Sequence, residues 1–156
     1  MKGEGQIGDE VDIFYKLCEK KSWTDIACML VENGSIDPNS TYTDTKENEI
    51  PVLMAASIHG RLDVVESLIQ AGADVDKAAN DGITAPMLAS EQGHGAIVQA
   101  PFQAGADVDK AANDGIDTLY RVANFFCHTN IQINIPLNIS GFSAYFLDFI
   151  VHKSAM

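Results

Sequence analysis

Fourteen residues occur twice in this chain. Gln70 to Ile83 reads QAGADVDKAANDGI, and Gln103 to Ile116 repeats it letter for letter at an offset of 33 residues. A fixed period of this length is the mark of a solenoid, in which each unit leaves an apolar face that only a neighbouring unit can bury. Such units stack on their neighbours instead of folding alone. The rest of the sequence must supply either further units or the ends of the stack.

One full period shows what the unit is. From Thr84 the chain runs TAPMLASEQGHGAIVQAPFQAGAD. Ala85 to Gln92 is short and rich in small and apolar residues, Gly93 breaks it, and Ile97, Val98 and Phe102 resume at helical spacing. Gly105 then ends the second helix, and the polar run Asp107 to Gly115 turns the chain toward the next unit. Thr84 stands where an N-cap belongs, as does Asp117 one period on. One period earlier Pro51 to Met54, Ala55-Ala56, Gly60, Val64-Val65, Leu68-Ile69 and Gly72-Ala73-Asp74 follow the same order.

These residues resemble the ankyrin family, whose unit is a β-turn followed by two antiparallel helices with a T-P-L-H-x-A signature in the first. The resemblance is carried by Thr84, Ala89-Ser90, Gly93-His94, Ile97-Val98 and Gly105-Ala106-Asp107, preceded by Asp81-Gly82. It implies an all-α fold: an ankyrin-type solenoid of stacked helix-turn-helix repeats with β-turn fingers. The expected organisation is a disordered N-terminus over 1–10 and a repeat domain over 11–123. That domain comprises a degenerate N-terminal cap unit at 11–49, repeats at 50–82 and 83–115, and a partial repeat at 116–123. An irregular apolar tail follows over 124–156.

In the cap unit Ile13, Leu17, Ile26 and Leu30 recur on helical faces and read as core, with Asn33-Gly34 closing the second helix. Ser35 to Glu49 is longer than the later turns and carries Pro38 and Asn39, so an extended, mobile finger is expected there. Past Tyr120 the pattern dissolves. Ile131, Ile133, Ile135, Leu137 and Ile139 alternate as in a strand, but Pro136 argues against a central one. Phe142, Tyr145, Phe146, Phe149 and Ile150 would cover the last repeat if they formed a helix.

Three departures from the family pattern stand out. Met87 occupies the signature histidine position, as do Met54 and Tyr120 in the flanking units, and since that histidine tethers the turn in the family its loss predicts looser loops. Pro86 falls in the first helical turn, where a missing N–H matters little. Pro101 lies deeper, and removes the bond to the carbonyl of Ile97 at a cost of up to about 3 kcal/mol.

Chemistry has little to stand on. His59, His94, His128 and His152 are scattered, and no metal-protease, nucleophile-elbow or phosphate-loop motif occurs. Cys127-His128 are adjacent and point apart in any regular structure, and the pairs Asp74/Asp76 and Asp107/Asp109 lie in turns without a calcium loop around them. Cys18, Cys28 and Cys127 form neither a C-x-x-C unit nor an even set, so no disulfide framework or zinc site is expected, and Cys18 and Cys28 read as core residues of a reducing compartment. No catalytic residue, metal or cofactor is therefore expected, and the chain is not expected to be an enzyme.

The composition agrees with a binding role. With 22 acidic against 10 basic residues the formal charge is −12, which repels phosphate backbones and anionic lipid, so neither nucleic acid nor membrane is an expected partner. Lys2, Glu4, Asp9 and Glu10 break up the start of the chain, and Asp148 interrupts the most apolar part of the tail. No secretory or membrane-spanning segment is expected, and the cytoplasm, or the nucleus, is the expected location. The resemblance implies protein binding through turn tips and the outward positions of first helices. On this sequence those are Ile58 and His59, then Ala78, Asn80, Asp81, Ile83, Glu91 and Gln92, then Ala111, Asn113, Asp114 and Ile116. The expected partner is a protein with a basic surface, met by a monomeric adaptor or inhibitor. The alternative is a structural fragment of a larger ankyrin protein, without a function of its own.

Overall fold

In a computed structural model of the chain, residues 7–20, 24–43, 47–107, 110–113, 115 and 121 are described. Among them six helices pair into three hairpins: α1 (Ile7–Glu19) with α2 (Thr24–Glu32), α3 (Val52–Ile58) with α4 (Leu62–Gln70), and α5 (Ala85–Glu91) with α6 (Gly95–Gln103). The first helices form one layer, α1 against α3 against α5. The second helices form another, α2 against α4 against α6. The partial repeat and the tail lie outside the described residues, apart from Arg121.

Apolar residues close the space between the layers. Phe14, Cys18, Ala27, Val52, Ala56, Val64, Val65, Leu68, Ala89 and Val98 are fully buried or nearly so and belong to one continuous core. Each large aliphatic side chain taken out of water contributes about 1.5–3 kcal/mol. Small residues on the first helices, Ala55, Ala56, Ala85 and Ala89, let these helices approach closely.

The cap unit differs from its sequence reading in three ways. α1 begins at Ile7, inside the stretch assigned to a disordered N-terminus. Its buried stripe is Val11, Phe14, Leu17 and Cys18, so Ile13 falls outside it at 52% exposure, and Ile26 on α2 is 48% exposed. Spacing by four had grouped each with a core residue, but the helical turn of about 100° per residue rotates both out of the stripe. The segment after α2 also forms more than a loose finger. Strands β1 (Thr41–Thr43) and β2 (Glu49–Pro51) pair antiparallel, Tyr42 opposite Ile50, and Val52 N–H continues the ladder to Ser40 O at 3.1 Å. β-Branched and aromatic residues at 41–43 suit that pleat.

Thr84 sits at the N-cap of α5 in extended conformation, yet its hydroxyl caps nothing and is buried without a hydrogen-bond partner among the described residues. A capping side chain normally reaches the N–H of the second or third helical residue, and here the second is Pro86, which has none. Pro101 lies inside α6 and the helix runs through it, two residues beyond. Pro101 is fully buried, so core packing on both sides holds the turn whose hydrogen bond it lacks.

Candidate partner-binding surface

The turns between units sit in a row, and the same few atoms tie each to the one before. Asp37, Asp74 and Asp107 occupy equivalent places, with 37 residues between the first two and 33 between the last two, so the first finger carries four extra residues. In the first two, the aspartate accepts the N–H two residues on: Asn39 N to Asp37 Oδ1 and Asp76 N to Asp74 Oδ1, both 2.9 Å. The residue so placed then reaches across to the next unit. Asn39 Oδ1 accepts Asp74 N–H at 2.7 Å, and Asp76 Oδ1 accepts Asp107 N–H at 2.8 Å. Lysines tighten the same joint from the other side, Lys77 donating to Asn39 O and Lys110 to Asp76 O.

At the outer tips the ladder repeats. Asn113 Nδ2 donates to Asn80 O at 3.0 Å and Asn113 N–H to Asp81 O at 2.8 Å, while Asn80 Nδ2 stands 3.5 Å from Glu47 O. The turn at Asp81-Gly82 is closed by Ile83 N–H to Asp81 Oδ1 and by Ala79 N–H to Ile83 O. It keeps this closure with Met87, and not the family's tethering histidine, at the signature position.

A second series of clips joins the helix ends. Arg61, at the N-cap of α4, donates Nε to Cys18 O at 2.7 Å and Nη2 to Glu19 O at 3.0 Å, satisfying carbonyls that end α1 without an intrahelical partner. His94, at the same place in the next unit, donates Nε2 to Ile58 O at the end of α3, 3.2 Å away. Its ring lies over Gly60, where a Cβ would come within 2.8 Å of it. Sequence reasoning missed Arg61, Asn39, Lys77 and Lys110. Their signal was the constant spacing of Arg61 and His94, and of Lys77 and Lys110, by one period.

The predicted binding residues fare unevenly. Asn80, Asp81 and Asn113 are exposed and brought together at the tips, but each also holds a neighbouring unit. Glu91 and Gln92 are exposed at the end of α5, with Glu91 paired to Arg121. Ala111 is exposed. Ala78, bridged to Thr84, is half-buried, and half-buried Ile83 packs against the core. Asp114 and Ile116 lie outside the described residues. Ile58 and His59 are half-buried, and His59 meets Tyr15 edge-on at 5.3 Å, where Tyr15 in turn stacks on Tyr42 at 4.6 Å. Burial lowers the pKa of His59, with smaller contributions from Glu19, which raises it, and from Arg61 and His94. Its Nε2 has no hydrogen-bond partner among the described residues.

Burial pushes the Cys18 thiol up to about 12, and Cys28 is raised as well, first by burial and against a hydrogen bond from Ser67. Neither is a thiolate at neutral pH. Both are free of disulfide. Among the described residues no group of ligating side chains could hold a metal ion, and no helix is long and apolar enough to cross a membrane.

A family model described as ankyrin repeats, in three copies, matches residues 14–112. Over 62 residues, 40% of the chain, it is 37% identical to the human protein "SH3 and multiple ankyrin repeat domains protein 1", and equally to those of Mus musculus and Rattus norvegicus. The match spans 3% of the length of those relatives. Ankyrin repeats are in general protein-interaction modules and typically not enzymes. Three stacked helix pairs joined by repeating turns, over the span that the three-copy model covers, show that this chain belongs to the ankyrin-repeat family.

Proposed function

We propose that this chain is a protein-binding module, an adaptor or inhibitor in the cytoplasm or nucleus, that docks a partner with a basic surface on its turn tips and first-helix layer. The observation that carries the reading is the row of exposed polar groups at the tips, Asn80, Asp81 and Asn113, held in fixed register by the inter-unit bonds, with Glu91 and Gln92 exposed at the far end of α5. A rigid row loses little freedom on binding, which favours affinity. The net charge of −12 gives a basic partner a long-range attraction.

The test is capture from the cells that make the protein, comparing wild type with Asp81→Lys and Gln92→Lys. Partners retained by the wild type should be lost from the double variant, and released as salt rises from 50 to about 500 mM, where screening shrinks to a few ångströms. Retention of the same proteins by both, at all salt concentrations, sinks the reading. A second reading, a structural segment of a larger protein with no partner of its own, is supported by the unpaired Thr84 hydroxyl and by Pro101 inside α6. A single cooperative melt of residues 1–156 on their own would count against it.

A further inference from the structure

The cap unit exposes what the other units hide. On α4 the exposed positions are Asp63, Glu66 and Gln70, and on α6 Ala96 and Gln103, whereas α2 exposes Ile26 at 48% and Met29 at 62%. These two lie about 60° apart around the helix, on the side away from the buried Ala27 and Val31. An array normally ends on a polar face. Adjoining large apolar side chains left in water mark a surface that is covered in use, and an unbranched methionine suits a contact that must adapt to its occupant.

The border of this patch states the occupant's charge. Asp25 and Glu32 on α2 and Asp63 and Glu66 on α4 are all exposed, and neither helix contains a lysine or arginine. The two helices pack side by side, and Cys28 of α2 meets Ser67 of α4 across the seam. Both helices carry exposed carboxylates beside this seam in the chain, Asp25 and Glu32 on α2 and Asp63 on α4. Phosphate and anionic lipid are repelled by such a border, whereas lysine or arginine side chains flanking an apolar stripe satisfy both parts of it.

We propose that the outer face of α2 and α4, centred on Ile26 and Met29 and bordered by Asp25, Glu32, Asp63 and Glu66, docks a basic amphipathic helix of a partner protein. The site uses the second-helix layer and does not depend on the turn tips. A partner could therefore span both, or two partners could bind at once.

Full-length protein labelled with ¹³C at its methionine methyl groups tests this directly. The titrant is a synthetic helical peptide of leucine and lysine at helical spacing, with its leucine and glutamate counterpart as control. The Met29 methyl signal should move on addition of the lysine peptide while those of buried Met54 and Met87 stay, and the glutamate peptide should leave all three unchanged. Ile26→Ser with Met29→Ser should weaken binding about tenfold with an unchanged melting temperature, and Asp25→Asn with Glu32→Gln should flatten its salt dependence. The variant carrying Asp81→Lys and Gln92→Lys should bind the peptide as wild type does, which separates this site from the tips. The proposal is overturned by no binding of the lysine peptide, by binding with a stationary Met29 signal, or by equal affinity in the Ile26 and Met29 double variant. Retention of the protein on phosphatidylserine vesicles would overturn the assignment to a protein partner.

Discussion

The second and third repeats share one fourteen-residue stretch and use it differently. Gly82 and Gly115 are the same letter in the same copied run, both at positive φ, 81° and 77°. A Cβ on Gly82 would come within 2.9 Å of the backbone nitrogen of Asn113, while among the described residues a Cβ on Gly115 would meet nothing within 4 Å. Among the described residues, Ala112 and Asn113 of the following unit lean on the first turn. Identity of sequence thus fixes the shape of each turn, and position in the stack fixes what depends on it.

The largest expected effect breaks that symmetry. Gly82→Ala should destabilise the protein by about 3 kcal/mol or more, since a left-handed alanine costs roughly 1–2 kcal/mol and the clash with a neighbouring backbone adds to it. Gly115→Ala should lose the conformational part alone. Equal losses in urea melts would show that the close approach of Asn113 does not hold in solution.

The helices of the two repeats differ more openly. Pro101 stands where the second repeat has Leu68, and both are fully buried. Pro101→Leu should restore the missing hydrogen bond to Ile97 and raise stability by up to about 3 kcal/mol, read as a higher denaturation midpoint at unchanged m. A fall instead would mean that the site has shrunk around the ring. Thr84, for its part, buries a hydroxyl with no partner among the described residues, so Thr84→Val should stabilise by about 1 kcal/mol by removing an unpaired polar group at nearly constant shape. A decrease in melting temperature would reveal a partner for that hydroxyl.

The smallest effect concerns His59, whose counterpart one period on is Gln92. Burial holds the His59 pKa below its ordinary value of 6.5, so the unfolded chain takes up a proton that the folded one resists. Its contribution to stability is complete above pH 6.5 and is lost as pH falls through the folded value. His59→Gln, which installs the residue of the third repeat, should reduce the drop in melting temperature between pH 7.5 and 5. An unchanged drop would assign it to other groups. Because the ring is only half-buried the difference should be small.

Much of the fold was legible because one period of sequence repeats. The turn glycines and small first-helix residues located α3 to α6 within a residue or two. The cap unit was less legible, since Ile13 and Ile26 obey helical spacing while lying outside the buried stripe, and spacing alone does not set which face turns inward. At the candidate surface the exposed tips were readable as turns. That Asn80 and Asn113 also bond the adjacent unit was not, because a hydrogen bond between residues 33 apart depends on how the units stack. The same holds for Arg61, whose carbonyl partners lie 42 and 43 residues earlier.

The joint between turns has a consequence for how such a chain can lengthen. Asp76, which receives the next unit, and Asp107 and Lys110, which reach back to it, are drawn from two copies of one sequence. A tandem duplication of these 33 codons therefore delivers plug and socket together, and a newly inserted unit meets both neighbours with contacts already compatible. Growth by copying needs no matching mutation at the seam, and divergence can then proceed on the helices, where Leu68 and Pro101 already differ.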